Sequence, residues 1–231
     1  MPLDPGTGKV YHPGEVTPAG KHFMTVWEPD AYRLRDIEVV AEEGFEYRHS
    51  YATCCGPAGS KRLYGRSGDD LFEMDLDDRK EGKLRVRPIC TVGVEGDPEH
   101  SGLYAMQRGP DGRIYWASSG GSNVPIDLFA WDPKTETKTY LGACALAGQA
   151  LRGGSCQGLC LDPHGNLALH VLYAEIPHQQ QAQWKVPEDF FYQDITARDH
   201  FVGFPAHRKG TFYAVYYVKN VMDMREETTQ K

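Results

Sequence analysis

The chain has 231 residues and a formal net charge of −7, with 25 scattered Lys and Arg residues against 32 Asp and Glu. This pattern argues against a nucleic-acid surface, which needs concentrated positive charge, and no apolar run approaches the roughly 20 residues that a membrane-spanning helix needs. The N-terminus has neither the basic nor the apolar region of a secretory signal. We therefore expect no nucleic-acid or membrane partner, and a cytoplasmic location, or a secreted one if an upstream segment is missing.

Six cysteines are present, and a chain of this length need not depend on disulfides. Cys156 and Cys160 have no second pair of ligands close by in the sequence, so a zinc site is not predicted. Free and partly buried thiols are the interpretation that the general burial of cysteine favours. The sequence leaves their redox state open.

One pattern recurs along the chain: a short apolar run, a Pro-x-Gly turn and a second apolar run. Proline presets φ and glycine accepts a positive φ, so each copy predicts a β-hairpin. The turn residues Pro57, Pro110 and Pro163 follow one another at a constant step of 53 residues. In chain order the copies are a partial one at 3–11 and full ones at 51–64, 104–115 and 157–168.

A second pattern follows each hairpin, with Asp-Leu-Phe or a variant of it, a polar turn and a last apolar segment. It is clearest at 70–78 and 127–134, and it is weaker at 189–196 and 22–29. Four antiparallel strands in each unit of this length predict the blade of a β-propeller. A sandwich of irregular hairpins is the alternative, which the constant step disfavours.

The predicted fold class is therefore all-β, a β-propeller of four-stranded antiparallel blades over residues 1–220. The expected parts are units at about 1–46, 47–99, 100–152 and 153–203, a closing strand at 211–219 and a polar tail at 221–231.

The first unit lacks an innermost strand, whereas 211–219 resembles one. We predict that 211–219 pairs with the opening strand of the first unit, because ring closure removes two open sheet edges. Two ring sizes fit the repeat: a complete four-bladed ring, or the C-terminal part of a larger ring. An incomplete ring would expose apolar blade faces and would need a partner chain.

The innermost strands of a propeller line a central channel, and the loops that enter them gather at one mouth. Polar and aromatic residues recur at these entries, which makes the mouth the predicted binding place for a glycan or another small ligand. The candidates are Arg48, His49, Tyr51, His100, Tyr104, Gln157, His207, Arg208 and Tyr213.

These residue types suit proton abstraction beside a carboxylate, with His or Tyr as base and acid and Arg neutralising the substrate carboxylate. The residues expected to be catalytic are His49, His100, Tyr51, Tyr104 and Arg48. Those expected to bind substrate are Gln157, His207, Arg208 and Tyr213. The histidines could instead hold a divalent metal of unknown identity, and ordinary polar loop residues are the other interpretation.

The segments Pro110–Ala117 and Asp127–Pro133 resemble the blades of several propeller superfamilies, which include polysaccharide lyases. The resemblance covers about residues 1–220. In lyase propellers that cut beside uronic acids, His, Tyr and Arg at the channel mouth carry the reaction, sometimes with a metal. The resemblance therefore implies roles for His49, His100 and Tyr104 in the reaction, with Arg48 beside them.

Three functional hypotheses remain after this comparison. The first is β-elimination on a uronate-containing glycan, and the second is a non-catalytic propeller that binds a protein or a small ligand at its mouth. The third is a calcium-dependent propeller hydrolase or lactonase, which needs several channel carboxylates. The innermost strands offer almost none, so we rank the third hypothesis last.

Overall fold

A computed structural model describes the protein at residues 2–4, 6–48, 52–57, 59–77, 82–96, 102–119, 126–143, 145–146, 149–150, 154–173, 200–205, 212–218 and 222. Over these residues the fold is all-β, with a short 3-10 turn at Pro29–Ala31. This confirms the all-β part of the predicted fold class, whereas the four-bladed ring stays a prediction. None of the described segments forms a helix with the length and apolar character needed to cross a bilayer.

The first two units join into one curled, seven-stranded sheet with the order β1-β2-β3-β7-β6-β5-β4. Neighbouring strands within each unit are antiparallel, and the two outer strands β3 and β7 meet in parallel at 39–41 and 84–86. The strands are β1 Val10–Val16, β2 His22–Glu28, β3 Arg33–Ala41, β4 Thr53–Cys55, β5 Arg62–Ser67, β6 Asp70–Asp75 and β7 Leu84–Thr91.

The third unit is a four-stranded antiparallel sheet in the order β11-β10-β9-β8, and a two-stranded hairpin, β12 and β13, follows it. The last sheet also has four strands, in the order β14-β15-β17-β16. The strands are β8 Gly102–Arg108, β9 Ile114–Ser119, β10 Asp127–Asp132, β11 Thr137–Ala143, β12 Ala145–Leu146, β13 Gln149–Ala150, β14 Gly154–Leu161, β15 Leu167–Tyr173, β16 His200–Pro205 and β17 Phe212–Val218.

The hydrophobic cores lie between consecutive units, because alternate side chains of a strand point to opposite faces of its sheet. In β5, Leu63 packs between the first and second units, whereas its neighbour Tyr64 packs between the second and third. Strand β9 repeats this division. Ile114 and Trp116 face the second unit, and Tyr115 faces the last unit. Because these strands are buried on both faces, their sequences are continuous apolar runs.

The internal repeat is visible in the irregularities of the sheets as well as in their strands. The pairing of β6 with β7 shifts between Leu71 and Phe72, and the pairing of β10 with β11 shifts between Leu128 and Phe129. These are the same positions of the Asp-Leu-Phe pattern in successive units. A β-bulge bends and twists its strand, so successive units bend at equivalent points.

The expected closing strand lies elsewhere in the fold. Strand β17 pairs along its whole length with β15 on one side and with β16 on the other. Because both of its edges are occupied, it cannot also extend the sheet at β1, and the predicted pairing of 211–219 with the first unit is wrong. The size of the ring stays a prediction.

Candidate functional site

The innermost strands of the second, third and last units are β4, β8 and β14, and β8 packs against both of the others. The three strands follow loops at corresponding points of the repeat, which is the arrangement expected around a channel. We call the end where β4, β8 and β14 begin the entry mouth. Of the residues predicted there, His49, Tyr51, His100, His207 and Arg208 lie outside the described residues.

Tyr104 and Gln157 occupy corresponding irregularities in two neighbouring innermost strands. In β8 the pairing with β9 shifts between Leu103 and Met106, so the backbone of Tyr104 lies in the shifted segment. In β14 the pairing with β15 shifts between Cys156 and Gly158, so Gln157 is the extra residue. Bulges re-aim side chains and are frequent beside active sites. The repeat thus gives Tyr104 and Gln157 equivalent backbone positions on neighbouring innermost strands.

Arg48 is held at the entry mouth by its backbone, while its side chain is exposed and paired. Its amide donates to Ser67 Oγ at 2.7 Å, and Ser67 Oγ donates to the carbonyl of Glu46 at 3.0 Å. The guanidinium donates from Nε and Nη2 to the two carboxylate oxygens of Glu46 at 3.0 and 2.9 Å. These hydrogen bonds and the Arg48 charge lower the pKa of Glu46. Because the two side chains are 64% and 75% exposed, water and salt weaken the pair, and another carboxylate can compete for Arg48.

Tyr213 is not on an innermost strand. It lies on β17, opposite Leu172 of β15 and Phe204 of β16, so β15 separates it from the innermost strand β14. The sequence similarity between β17 and the innermost strands therefore does not correspond to a similar position in the fold.

The opposite ends of β4, β8 and β14 lead into a cleft that the sequence did not predict. It is an open cavity of about 340 Å³ between the hairpin turns of the second, third and last units, and we call it the turn-end cleft. Its lining includes Pro57, Arg108, Pro110, Leu161, Asp162 and Pro163.

Arg108 is the partly buried cation of this cleft, and it ends strand β8. Its Nη1 donates to the carbonyl of Gly56 in the neighbouring unit at 2.5 Å. A comparison of corresponding repeat positions would have identified Arg108 from the sequence. The corresponding residues, 53 positions before and after, are Cys55 and Leu161, so one charged residue stands where the repeat otherwise has an apolar residue.

Other buried polar groups have structural roles. The carboxylate of Glu73 lies 5% exposed on β6 and accepts hydrogen bonds from Arg62, from Tyr64 Oη at 3.1 Å and from Arg87 Nε at 3.0 Å. Burial, followed by the charge of Glu73, raises the pKa of Tyr64. With two cations and a phenol fixed on it, this carboxylate stabilises the second unit and is not available to a substrate.

The described cysteines are free, at positions 54, 55, 90, 156 and 160. Burial raises the pKa of Cys55 and Cys156 to about 12, so these thiols stay protonated and unreactive near neutral pH. Over the described ranges, no group of three or more His, Cys, Asp and Glu side chains is placed to hold a metal ion. A metal site that used His49, His100 and His207 would lie outside those ranges.

No protein family and no curated protein was found to match the chain. Among solved structures, the luciferin-regenerating enzyme is 11% identical and matches with a TM-score of 0.50, over 98% of this chain and 62% of its own. An oligogalacturonate lyase in complex with manganese is 13% identical and matches with a TM-score of 0.44, over 88% of this chain and 56% of its own. The chain thus spans less than two thirds of either structure. The first likeness supports a propeller-like fold and nothing more specific.

Proposed function

We propose that this chain is a carbohydrate-active propeller that cleaves a uronate-containing glycan by β-elimination at its entry mouth. The observation that supports the proposal best is the pair of corresponding bulges at Tyr104 and Gln157 on adjacent innermost strands. The segment carrying His100 leads directly into β8, and the segment carrying His49 and Tyr51 leads into β4. Acid, base and binding groups would therefore surround one opening.

The reaction needs a base for the proton on C5 of the uronate and an acid for the leaving oxygen on C4. When the base removes the C5 proton, the electron pair of that bond forms the C4–C5 double bond. The bond between C4 and the glycosidic oxygen breaks, and the acid protonates that oxygen. In this proposal His49, His100, Tyr51 and Tyr104 supply the base and the acid.

The carboxylate attached to C5 makes this proton removable only if its negative charge is neutralised as the carbanion develops. Arg48 is suited to this task because its partner Glu46 holds it in an exposed pair, which a substrate carboxylate can replace. The residues predicted to bind the substrate are Gln157, His207, Arg208 and Tyr213. The position of Tyr213 on β17 gives it the least support among these.

The test is the ultraviolet absorbance of the unsaturated uronate product. The purified chain is incubated with a panel of uronate glycans, with and without added divalent metal. We expect product with at least one glycan, and a loss of at least 100-fold in kcat/KM in His49→Ala and His100→Ala. His164→Ala is the matched control, because His164 lies exposed in a hairpin turn at the other end of the channel.

If the folded chain forms no product from any glycan, the lyase proposal is wrong. The hypothesis of a non-catalytic binding propeller is then favoured. Equal activity losses in the His164 control and in the two mouth variants would contradict the placement of the site. In the binding alternative, a ligand would bind at the entry mouth without being cleaved.

A further inference from the structure

We propose that the turn-end cleft is a second binding site, for a carboxylate-bearing ligand about the size of one six-membered ring. It lies beyond the proposed active site, since the seven residues of β8 separate the two ends of the channel by about 20 Å. The inference does not depend on the proposed lyase activity. It rests on the charge, the walls and the size of the cleft.

Arg108 gives the cleft a charged hydrogen-bond donor for an anion. Arg108 is partly withdrawn from water, and among the described residues no carboxylate forms an ion pair with it. Arg113 in the next turn shows the contrast, because its Nε contacts Asp111 Oδ2 at 2.6 Å. Arg108 donates one of its five N–H groups to the carbonyl of Gly56. The planar guanidinium can donate others to a carboxylate.

The carboxylate of Asp162 lines the same cleft, but its own turn already uses it. Its Oδ1 accepts the amides of His164 and Asn166, and its Oδ2 accepts the side-chain amide of Asn166, each at 2.8 Å. These bonds fix the carboxylate within the turn. These bonds do not cancel the charge of Asp162, but among the described residues it forms no ion pair with Arg108, whose guanidinium keeps donors for a ligand carboxylate.

The walls of the cleft are apolar and close together. Three of its lining residues are the turn prolines Pro57, Pro110 and Pro163, and Leu161 adds a fourth apolar side chain. A Cβ atom placed on Gly112 would lie 3.4 Å from Pro57 Cγ, so the turns of the second and third units are in contact there. Apolar walls with one convergent charged group are typical of small-ligand sites.

The size of the cleft sets the size of the ligand. A volume of about 340 Å³ is near the lower limit of small-molecule pockets, roughly 300 to 1,000 Å³. A single six-membered ring fits this volume, with its C–H faces on the proline rings and its carboxylate on Arg108. A hexuronic acid has this chemistry, and the corresponding neutral hexose lacks only the carboxylate.

The experiment measures binding of galacturonate and of galactose by isothermal titration. Wild type is compared with Arg108→Gln and with the matched control Lys61→Gln, which removes an exposed charge from the turn of the second unit. We expect galacturonate to bind at least tenfold more tightly than galactose to wild type and to Lys61→Gln. Arg108→Gln should lose at least tenfold in galacturonate affinity.

Two further variants keep the result interpretable. Pro163→Glu adds a negative charge at an exposed turn position beside the cleft and should weaken galacturonate binding even if Arg108→Gln does not fold. Tyr32→Phe, which changes an 86% exposed side chain of the first unit, should bind galacturonate as wild type does. Absence of galacturonate binding to wild type, equal binding of the two sugars, or unchanged binding in folded Arg108→Gln or Pro163→Glu would overturn the proposal.

Discussion

At the scale of single residues, close contacts with an aromatic ring and with a turn side chain explain the glycine before Pro57 and the glycine before Pro110. A Cβ atom on Gly109 would lie 2.6 Å from Tyr115 Cε2, and one on Gly56 would lie 3.0 Å from Tyr64 Cε2. In the last unit Ala168 replaces the tyrosine, and Asp162, with a full side chain, replaces the glycine. The two positions therefore change together, as steric contact requires.

We expect Gly109→Ala to lower the free energy of unfolding by about 1 to 3 kcal/mol, since the added methyl group forces ring and turn apart. Urea denaturation followed by circular dichroism measures this change. Gly6→Ala is the matched control, because its added Cβ would have its nearest contact at 3.4 Å, an ordinary distance. Equal stability of Gly109→Ala and wild type would show that the ring does not lie against the glycine.

The candidate site was only partly predictable from single residues. Glu46 and Arg48 carry opposite charges two residues apart in the sequence, so their ion pair could have been foreseen. Arg108 was not predicted, because the histidines mark the starts of the innermost strands, whereas Arg108 ends one. Its charge stands out only when corresponding repeat positions are compared along the chain.

At the scale of elements, one lysine binds the start of the linker that follows β7 and leads from the second unit to the third. Lys138 Nζ on β11 donates to the carbonyl and hydroxyl of Thr91 at 2.8 and 3.1 Å, and also to the carbonyl of Gly93. The same ammonium lies 4.6 Å from the centre of the Phe129 ring. Burial lowers the pKa of Lys138. The linker that it holds continues towards His100 and β8.

We expect Lys138→Met to release this linker, so that amide hydrogen exchange at residues 91–96 rises by at least tenfold, because the hydrogen bonds of Lys138 to Thr91 and Gly93 are lost. Mass spectrometry of peptides from that segment measures the exchange. Lys134→Met is the control, since Lys134 is exposed in the turn of the same hairpin. Equal exchange in both variants would mean that Lys138 does not fix the linker.

The elements were more predictable than their pairing. Pro-x-Gly turns and a constant step predicted the hairpins correctly, because local φ preferences determine such turns. The position of β17 was wrong, because its apolar run is typical of any strand buried on both faces. Long-range packing determines which strands lie beside β17. The alternation of side chains along a single strand does not specify those neighbours.

At the scale of the whole molecule, stability comes from cores shared between units, and these cores contain thiols. Cys156 is fully buried between the third and last units, and burial raises its pKa to about 12. In the unfolded chain a thiol has a pKa of about 8.5. Above that pH the unfolded state loses the proton while the folded state keeps it, so stability falls as pH rises towards 12.

We therefore expect wild type to lose about 1 to 2 kcal/mol more free energy of unfolding than Cys156→Ala between pH 8 and pH 10. Urea denaturation at both pH values measures the difference. Cys160→Ala should lose as much as wild type, because the Cys160 side chain is exposed. The same loss in Cys156→Ala as in wild type would show that Cys156 does not lie in the core between units.

In our proposal, corresponding bulges of the innermost strands build one catalytic mouth, and Tyr104→Phe tests this most directly. The variant removes a single hydroxyl group, and the rate of unsaturated uronate formation is compared with that of wild type. Tyr32→Phe, which removes a hydroxyl group from an 86% exposed tyrosine of the first unit, is the control. We predict at least a 100-fold loss in kcat/KM for Tyr104→Phe, with unchanged thermal stability and a fully active control. Full activity in Tyr104→Phe would contradict the claim.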